Sequence, residues 1–157
     1  MRKRIGNPVS QQNVNSGHKW LDIEKLAVVE VTSEDAGFPI ESALLPGKAS
    51  GWRASGPGKQ IIRLLFDNPR RLQWIRLNFE ELEIERTQEY ILRWSPDGGQ
   101  SYQEIIRQQW IFSPEGSTNE VEDYQIELPA VTILELSINP DISKKNAFAS
   151  LEELRLA

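Results

Sequence analysis

The chain has no cysteine and one histidine, His18, in 157 residues. No disulfide, thiolate nucleophile or thiolate metal site can therefore be built. A nucleophile–base pair would depend on a histidine that lies in a polar, aperiodic stretch, so no catalytic residue is assigned and no enzyme is expected. Positive charge is also scarce: 18 Lys and Arg against 23 Asp and Glu leave a net charge of −5. That balance offers no field for a polyanion, so neither nucleic-acid binding nor membrane insertion is expected. No apolar run approaches the roughly 18 residues of a membrane-spanning helix. Met1-Arg2-Lys3-Arg4 is followed by the polar stretch from Gly6 to Lys19, not by the apolar segment of a signal peptide, which favours a cytoplasmic location. Gly56-Pro57-Gly58-Lys59 lacks the spacing, the Ser/Thr and the following helix of a phosphate-binding loop, and reads as a plain loop.

With 39% hydrophobic and 26% charged residues, the composition suits one domain with one core. Residues 1–20, rich in Asn, Gln, Ser and Gly, read as a poorly ordered polar lead-in to a single domain over residues 21–157. Within that domain apolar and polar residues alternate with the two-residue period of strands. The segments are Leu26–Thr32, Gln60–Asp67, Leu72–Phe79, Glu89–Trp94, Tyr102–Arg107, Glu120–Leu128, Val131–Ile138 and Ser150–Leu156. In Val131–Ile138, Leu134, Leu136 and Ile138 share one face, the core side, and Ile133, Glu135 and Ser137 the other. Turn sequences such as Asn68-Pro69, Ser95-Pro96-Asp97-Gly98-Gly99 and Ser113-Pro114-Glu115-Gly116 separate the segments. Eight strands without a long helix predict an all-β sandwich. Trp52, Trp74 and Trp94 are expected in or against its core. Glu81, Glu83 and Glu85 alternate with Leu82 and Ile84 and read as a strand or extended loop with one solvated face, not as a glycosidase pair. Trp110-Ile111-Phe112 puts large apolar side chains beside a turn, which makes Trp110 and Phe112 candidates for a protein contact or a homodimer interface.

The order and spacing of several segments resemble the discoidin or coagulation-factor type C domains. They are Ala43 through Gly51-Trp52-Arg53-Ala54, Gln60 to Phe66, Leu72 to Leu77, Tyr90 to Tyr102 with its Ser95-Pro96-Asp97-Gly98-Gly99 turn, and Ala149 to Leu156. These domains, whose relatives include the family 32 carbohydrate-binding modules, are galactose-binding-domain-like jelly rolls of eight strands. The resemblance implies a non-catalytic module that binds a saccharide weakly through loops at one end of the sandwich. It points to Phe148, just before the final strand, as the stacking aromatic, with Glu41, Arg53, Glu80 and Arg86 as polar candidates. A protein partner or homodimer is the alternative. Many such domains hold a structural calcium with aspartates where this chain has Ala43-Leu44-Leu45-Pro46-Gly47-Lys48. Only Glu153 remains of that ligand set, so no metal and no cofactor is expected.

Overall fold

A computed structural model describes residues 19–47, 50–143 and 146–157. His18 and nearly all of the 1–20 lead-in lie outside the described residues, as does Lys48. Among the described residues two short helical turns, α1 (Ile23–Leu26) and α2 (Glu41–Leu44), accompany eight strands. The strands are β1 (Ala27–Val31), β2 (Trp52–Pro57), β3 (Gln60–Glu80), β4 (Arg86–Ser95), β5 (Gln103–Phe112), β6 (Asn119–Asn139), β7 (Phe148–Leu151) and β8 (Glu153–Leu156). All pairings are antiparallel.

Eight strands were expected and eight are found, but not the same eight. Gln60–Asp67 and Leu72–Phe79 are one strand, β3, and Glu120–Leu128 and Val131–Ile138 are one strand, β6. Both run through the corner of the sandwich, where their mutual register breaks between Leu65 and Trp74. Asn68-Pro69 therefore bends a strand instead of ending it. Ser150–Leu156 is divided between β7 and β8, and β2 was not foreseen because Gly56-Pro57 looked like a turn.

One layer has the order β1–β3–β6–β4–β5, using the first part of β3 and the last part of β6. The other is formed by β8, the last part of β3 and the first part of β6. The layers meet face to face: the Phe79 and Tyr90 rings stand 5.0 Å apart, and the Tyr90 and Tyr124 hydroxyls share a hydrogen bond. The result is the jelly-roll β-sandwich. Ile62, Leu64, Leu77, Leu92, Leu134 and Leu136 fill its core, together with Trp52 and Trp94, while Trp74 is half-buried.

The outer face of the five-stranded layer carries a row of alternating charge. Glu30, Arg63, Glu135, Arg93 and Glu104 are successive register partners across all five strands. Arg63 and Arg93 close on Glu135 at 3.0 and 2.7 Å, leaving it 2% exposed. A one-residue slip of any strand would put like charges together or unpair Glu135, so the row fixes register. Val131–Ile138 is consequently covered on both faces, not on one as its alternation predicted.

The β4–β5 hairpin closes as its sequence predicts. Gly98 and Gly99 take φ of 72° and 97°, and Asp97 accepts the Ser101 N–H at 2.9 Å. Among the described residues no helix is long and apolar enough to cross a membrane.

Candidate functional site

β2 and β7 form a two-stranded ribbon that closes one end of the sandwich. It spans from the three-stranded layer, where the Glu152 N–H donates to the Asn78 carbonyl, to the start of β3, where the Gly58 N–H donates to the Ala147 carbonyl. Alternation gives it two faces. Trp52, Ala54, Ala149 and Leu151 point into the core, and Arg53, Ser55, Pro57 and Phe148 point outward. The inner face is anchored by the Trp52 indole N–H, which donates to the Ser33 carbonyl at 3.0 Å. At Gly51, with φ of 69°, a Cβ would lie 2.9 Å from the Leu151 carbonyl oxygen, so only glycine lets the chain enter the ribbon this closely.

On the outer face Arg53 is paired with Ser150 and Pro57 with Phe148, which sets Arg53 and Phe148 roughly 7 Å apart along the ribbon. Phe148 is 42% exposed, high for a phenylalanine. The Arg53 guanidinium lies 5.0 Å over the Phe38 ring. Glu80, at the end of β3, and Glu152 gather on the Arg53 side. Burial and then the Glu80 carboxylate push the Glu152 carboxyl above the usual range, against the opposing pull of Arg53. Beyond Phe148 an open cleft of about 330 Å³ is lined by Pro57, Lys59, Asn139, Asp141 and Asn146. Asp141 accepts the Ser143 N–H at 3.0 Å and the Ser143 hydroxyl, fixing the turn that forms the cleft wall.

Of the five residues proposed from the sequence, Arg53, Glu80 and Phe148 come together at this end. Arg86 lies beneath it. Its guanidinium is buried against the Phe112 ring at 4.8 Å and donates to Glu81 at 2.7 Å and to the Pro140 carbonyl at 2.9 Å. It holds the cleft loop in place instead of facing solvent. Glu41 stands elsewhere, in a groove beside α1 and α2 with Ile23, Ile40 and Leu44, which has no aromatic side chain. Lys59, Asn139, Asn146 and Glu152 were not singled out, because they lie on turns and at a strand end where no periodicity marks them.

Two other expectations are corrected. Phe112 is fully buried and Trp110 half-buried, so of Trp110-Ile111-Phe112 it is Ile111 that stands out, at 61% exposure. The phase of β5 turns Phe112 inward under Arg86. The Glu81–Glu85 segment is a loop in which Leu82 and Ile84 are exposed alongside Glu83 and Glu85. Glu81 folds it by accepting the N–H groups of Glu83 and Ile84.

The residues at the calcium position of similar domains do not fit a hard cation. Ala43 and Leu44 are buried aliphatics, and the Arg155 guanidinium already takes the carbonyls of Ala43 at 2.9 Å and Leu45 at 3.3 Å while pairing with Glu153 at 3.4 Å. A fixed cation of the chain thus gathers the oxygens that a metal would otherwise collect. The melting temperature is accordingly expected to be the same in millimolar calcium and in chelator. Arg155→Ala is expected to lose about 2 kcal/mol in denaturant unfolding, and calcium is not expected to restore it.

No family model matches the chain, and no curated protein matches it. Solved structures do. A family 32 module of AlyQ, determined with 4,5-unsaturated mannuronic acid, superposes with a TM-score of 0.63 at 18% identity, covering 89% of this chain and 98% of that one. CpGH89CBM32-5 of Clostridium perfringens, determined with GalNAc-β-1,3-galactose, gives 0.64 at 17% identity over 88% and 99%. The family 32 module of C. perfringens NanJ, determined with galactose, gives 0.59 at 16% over 87% and 96%. Against a Ruminococcus gnavus GH29 fucosidase, with a TM-score of 0.64 at 10% identity over 84% of this chain, the match spans 25% of that longer protein. Order of strands, ribbon closure and these superpositions agree: the chain has the discoidin-like β-sandwich fold of the family 32 carbohydrate-binding modules.

Proposed function

We propose that the protein is a non-catalytic carbohydrate-binding module whose site is the outer face of the β2–β7 ribbon and the cleft beside it. The observation that carries this reading is Phe148, an exposed aromatic on a rigid ribbon with Arg53 and Glu80 on one side and the Lys59, Asn139 and Asn146 side chains on the other. A pyranose offers an apolar face to an aromatic ring and a rim of hydroxyls to amides and charged groups, and these are the groups present. Module-sized neighbours determined with galactose, GalNAc-β-1,3-galactose and unsaturated mannuronic acid support a saccharide as the ligand class.

A shallow site with one aromatic buries little ligand surface, so dissociation constants in the micromolar to millimolar range are expected, about −8 to −4 kcal/mol. Titration of glycans chosen from an array should give saturable binding to the wild type. Phe148→Ala should weaken it by roughly tenfold or more with an unchanged melting temperature, because this side chain contributes little to the core. A blank array, or full affinity in Phe148→Ala, would remove the basis of the proposal.

A further inference from the structure

The two sides of Phe148 differ in charge, and the difference selects a ligand. Several cations on the sandwich faces are held by carboxylates, as Arg63 and Arg93 are by Glu135 and Arg71 is by Glu127. Among the described residues neither Lys59 nor Arg53 has an ion-pair partner. On the Arg53 side two carboxylates, Glu80 and Glu152, act on the same space, as the raised Glu152 carboxyl records. On the Lys59 side, among the described residues, the cleft is lined by Lys59, Asn139 and Asn146. Among the described residues its carboxylate is that of Asp141, which is buried and whose Oδ1 accepts from the Ser143 N–H and hydroxyl and from the Thr87 N–H. Lys59 lies two residues beyond Pro57, the register partner of Phe148, and lines the same cleft as Pro57.

From this placement, and resting on the saccharide reading above, we infer that the preferred ligand is an acidic saccharide: a uronic-acid pyranose stacked on Phe148 with its carboxylate directed to Lys59. The carboxylate of a hexuronate leaves the ring edge, so a sugar centred on the aromatic reaches toward the ammonium while its ring remains stacked. In the opposite orientation the same carboxylate would meet the two carboxylates of Glu80 and Glu152 against the single guanidinium of Arg53. Charge thus sets direction as well as preference, with the neutral hydroxyls of a neighbouring sugar falling to Arg53, Glu80 and Glu152, which recognise hydroxyl donors and acceptors alike. The net charge of −5 makes this local cation necessary, because the protein as a whole repels an anionic ligand.

The test compares diuronates of galacturonic, glucuronic and mannuronic configuration with their methyl esters, which keep size and shape and remove the charge. Calorimetric titration at low salt should show at least one diuronate binding roughly fivefold or more tighter than its ester. That preference should vanish in Lys59→Gln and shrink in about 0.5 M salt. Phe148→Ala should weaken acid and ester alike. Equal binding of acid and ester, or a preference that survives in Lys59→Gln, would overturn the inference while leaving the saccharide site intact. If neither acids, esters nor neutral glycans bind, the saccharide reading fails and this inference fails with it.

Discussion

Raising the pH from about 4.5 to about 8 is expected to cost the fold about 3 kcal/mol through one residue, Glu120. Glu120 is on the inner face of β6, opposite Phe79 in register, and is 1% exposed. Neither carboxylate oxygen has a hydrogen-bond partner among the described residues. Burial first, then the neighbouring Glu122 carboxylate, push its carboxyl from the ordinary value near 4.5 up to about 7. The other groups around it are the Tyr90–Tyr124 hydroxyl pair, which stays protonated because burial raises both phenols.

The sign follows from proton counting. Below about pH 4.5 Glu120 is protonated in both folded and unfolded chains and contributes no pH dependence. Between about 4.5 and 7 the unfolded chain releases a proton that the folded chain keeps, so stability falls. Above about 7 both are ionised and the loss levels off. Glu120→Gln keeps the shape without the charge, and should match the wild type near pH 4.5 and exceed it by up to about 3 kcal/mol near pH 8. Parallel urea titrations of the two proteins across this range isolate Glu120 from Glu152, whose raised carboxyl acts in the same direction. Parallel stability profiles would show that Glu120 is solvated and ionised in the folded protein.

The second large effect is expected at Arg86. Its side chain joins four pieces of backbone: the Glu81–Glu85 loop through Glu81, β4 itself, the end of β5 through the Phe112 ring, and the cleft loop through the Pro140 carbonyl. Truncation to alanine leaves the largely buried Glu81 carboxylate without its counter-charge, the Pro140 carbonyl without its donor, and a cavity above Phe112. Breaking a buried pair from one side costs about 3–5 kcal/mol, and that is the loss expected in denaturant unfolding of Arg86→Ala. Arg86→Lys keeps the charge but not the fork, and should recover only part. Because Arg86 also sets the cleft loop, ligand affinity should fall in both variants even where they remain folded. Phe148→Ala instead loses affinity without stability, which separates a contact residue from a supporting one. A loss below about 1 kcal/mol in Arg86→Ala would mean that the ion pair is open to water.

Much of the fold was legible because strand period and turn chemistry are local. β1, β4 and β5 fall where alternation placed them, and the Ser95–Gly99 turn closes the predicted hairpin. What alternation does not encode is which polar residue the phase carries inward. Arg86, Gln88, Tyr90 and Leu92 share one face of β4, and Glu120, Glu122, Tyr124 and Ile126 share one face of β6. Following the phase from Tyr90 or Tyr124 back along its strand would have placed Arg86 and Glu120 inside. Their charge argues for the surface. β2 was missed for the opposite reason. Gly56-Pro57 is turn chemistry, but Trp52 and Ala54 bury the ribbon, and tertiary contact outweighed local propensity. Phe148 could be named from its place before the final strand, whereas the Lys59–Asn139–Asn146 cleft joins residues far apart in the chain and exists only once β2 and β7 pair.

The most direct measurement of the central claim is residue-resolved: ¹⁵N chemical-shift mapping of the protein titrated with the best-binding saccharide. Shifts confined to Arg53, Phe148, Ser150, Lys59 and Asn146, growing with one dissociation constant and absent in Phe148→Ala, are the predicted result. Shifts that instead map to the groove of Ile23, Glu41 and Leu44, or to the outer edge at Ile111, would contradict the assignment of the ribbon face as the binding site.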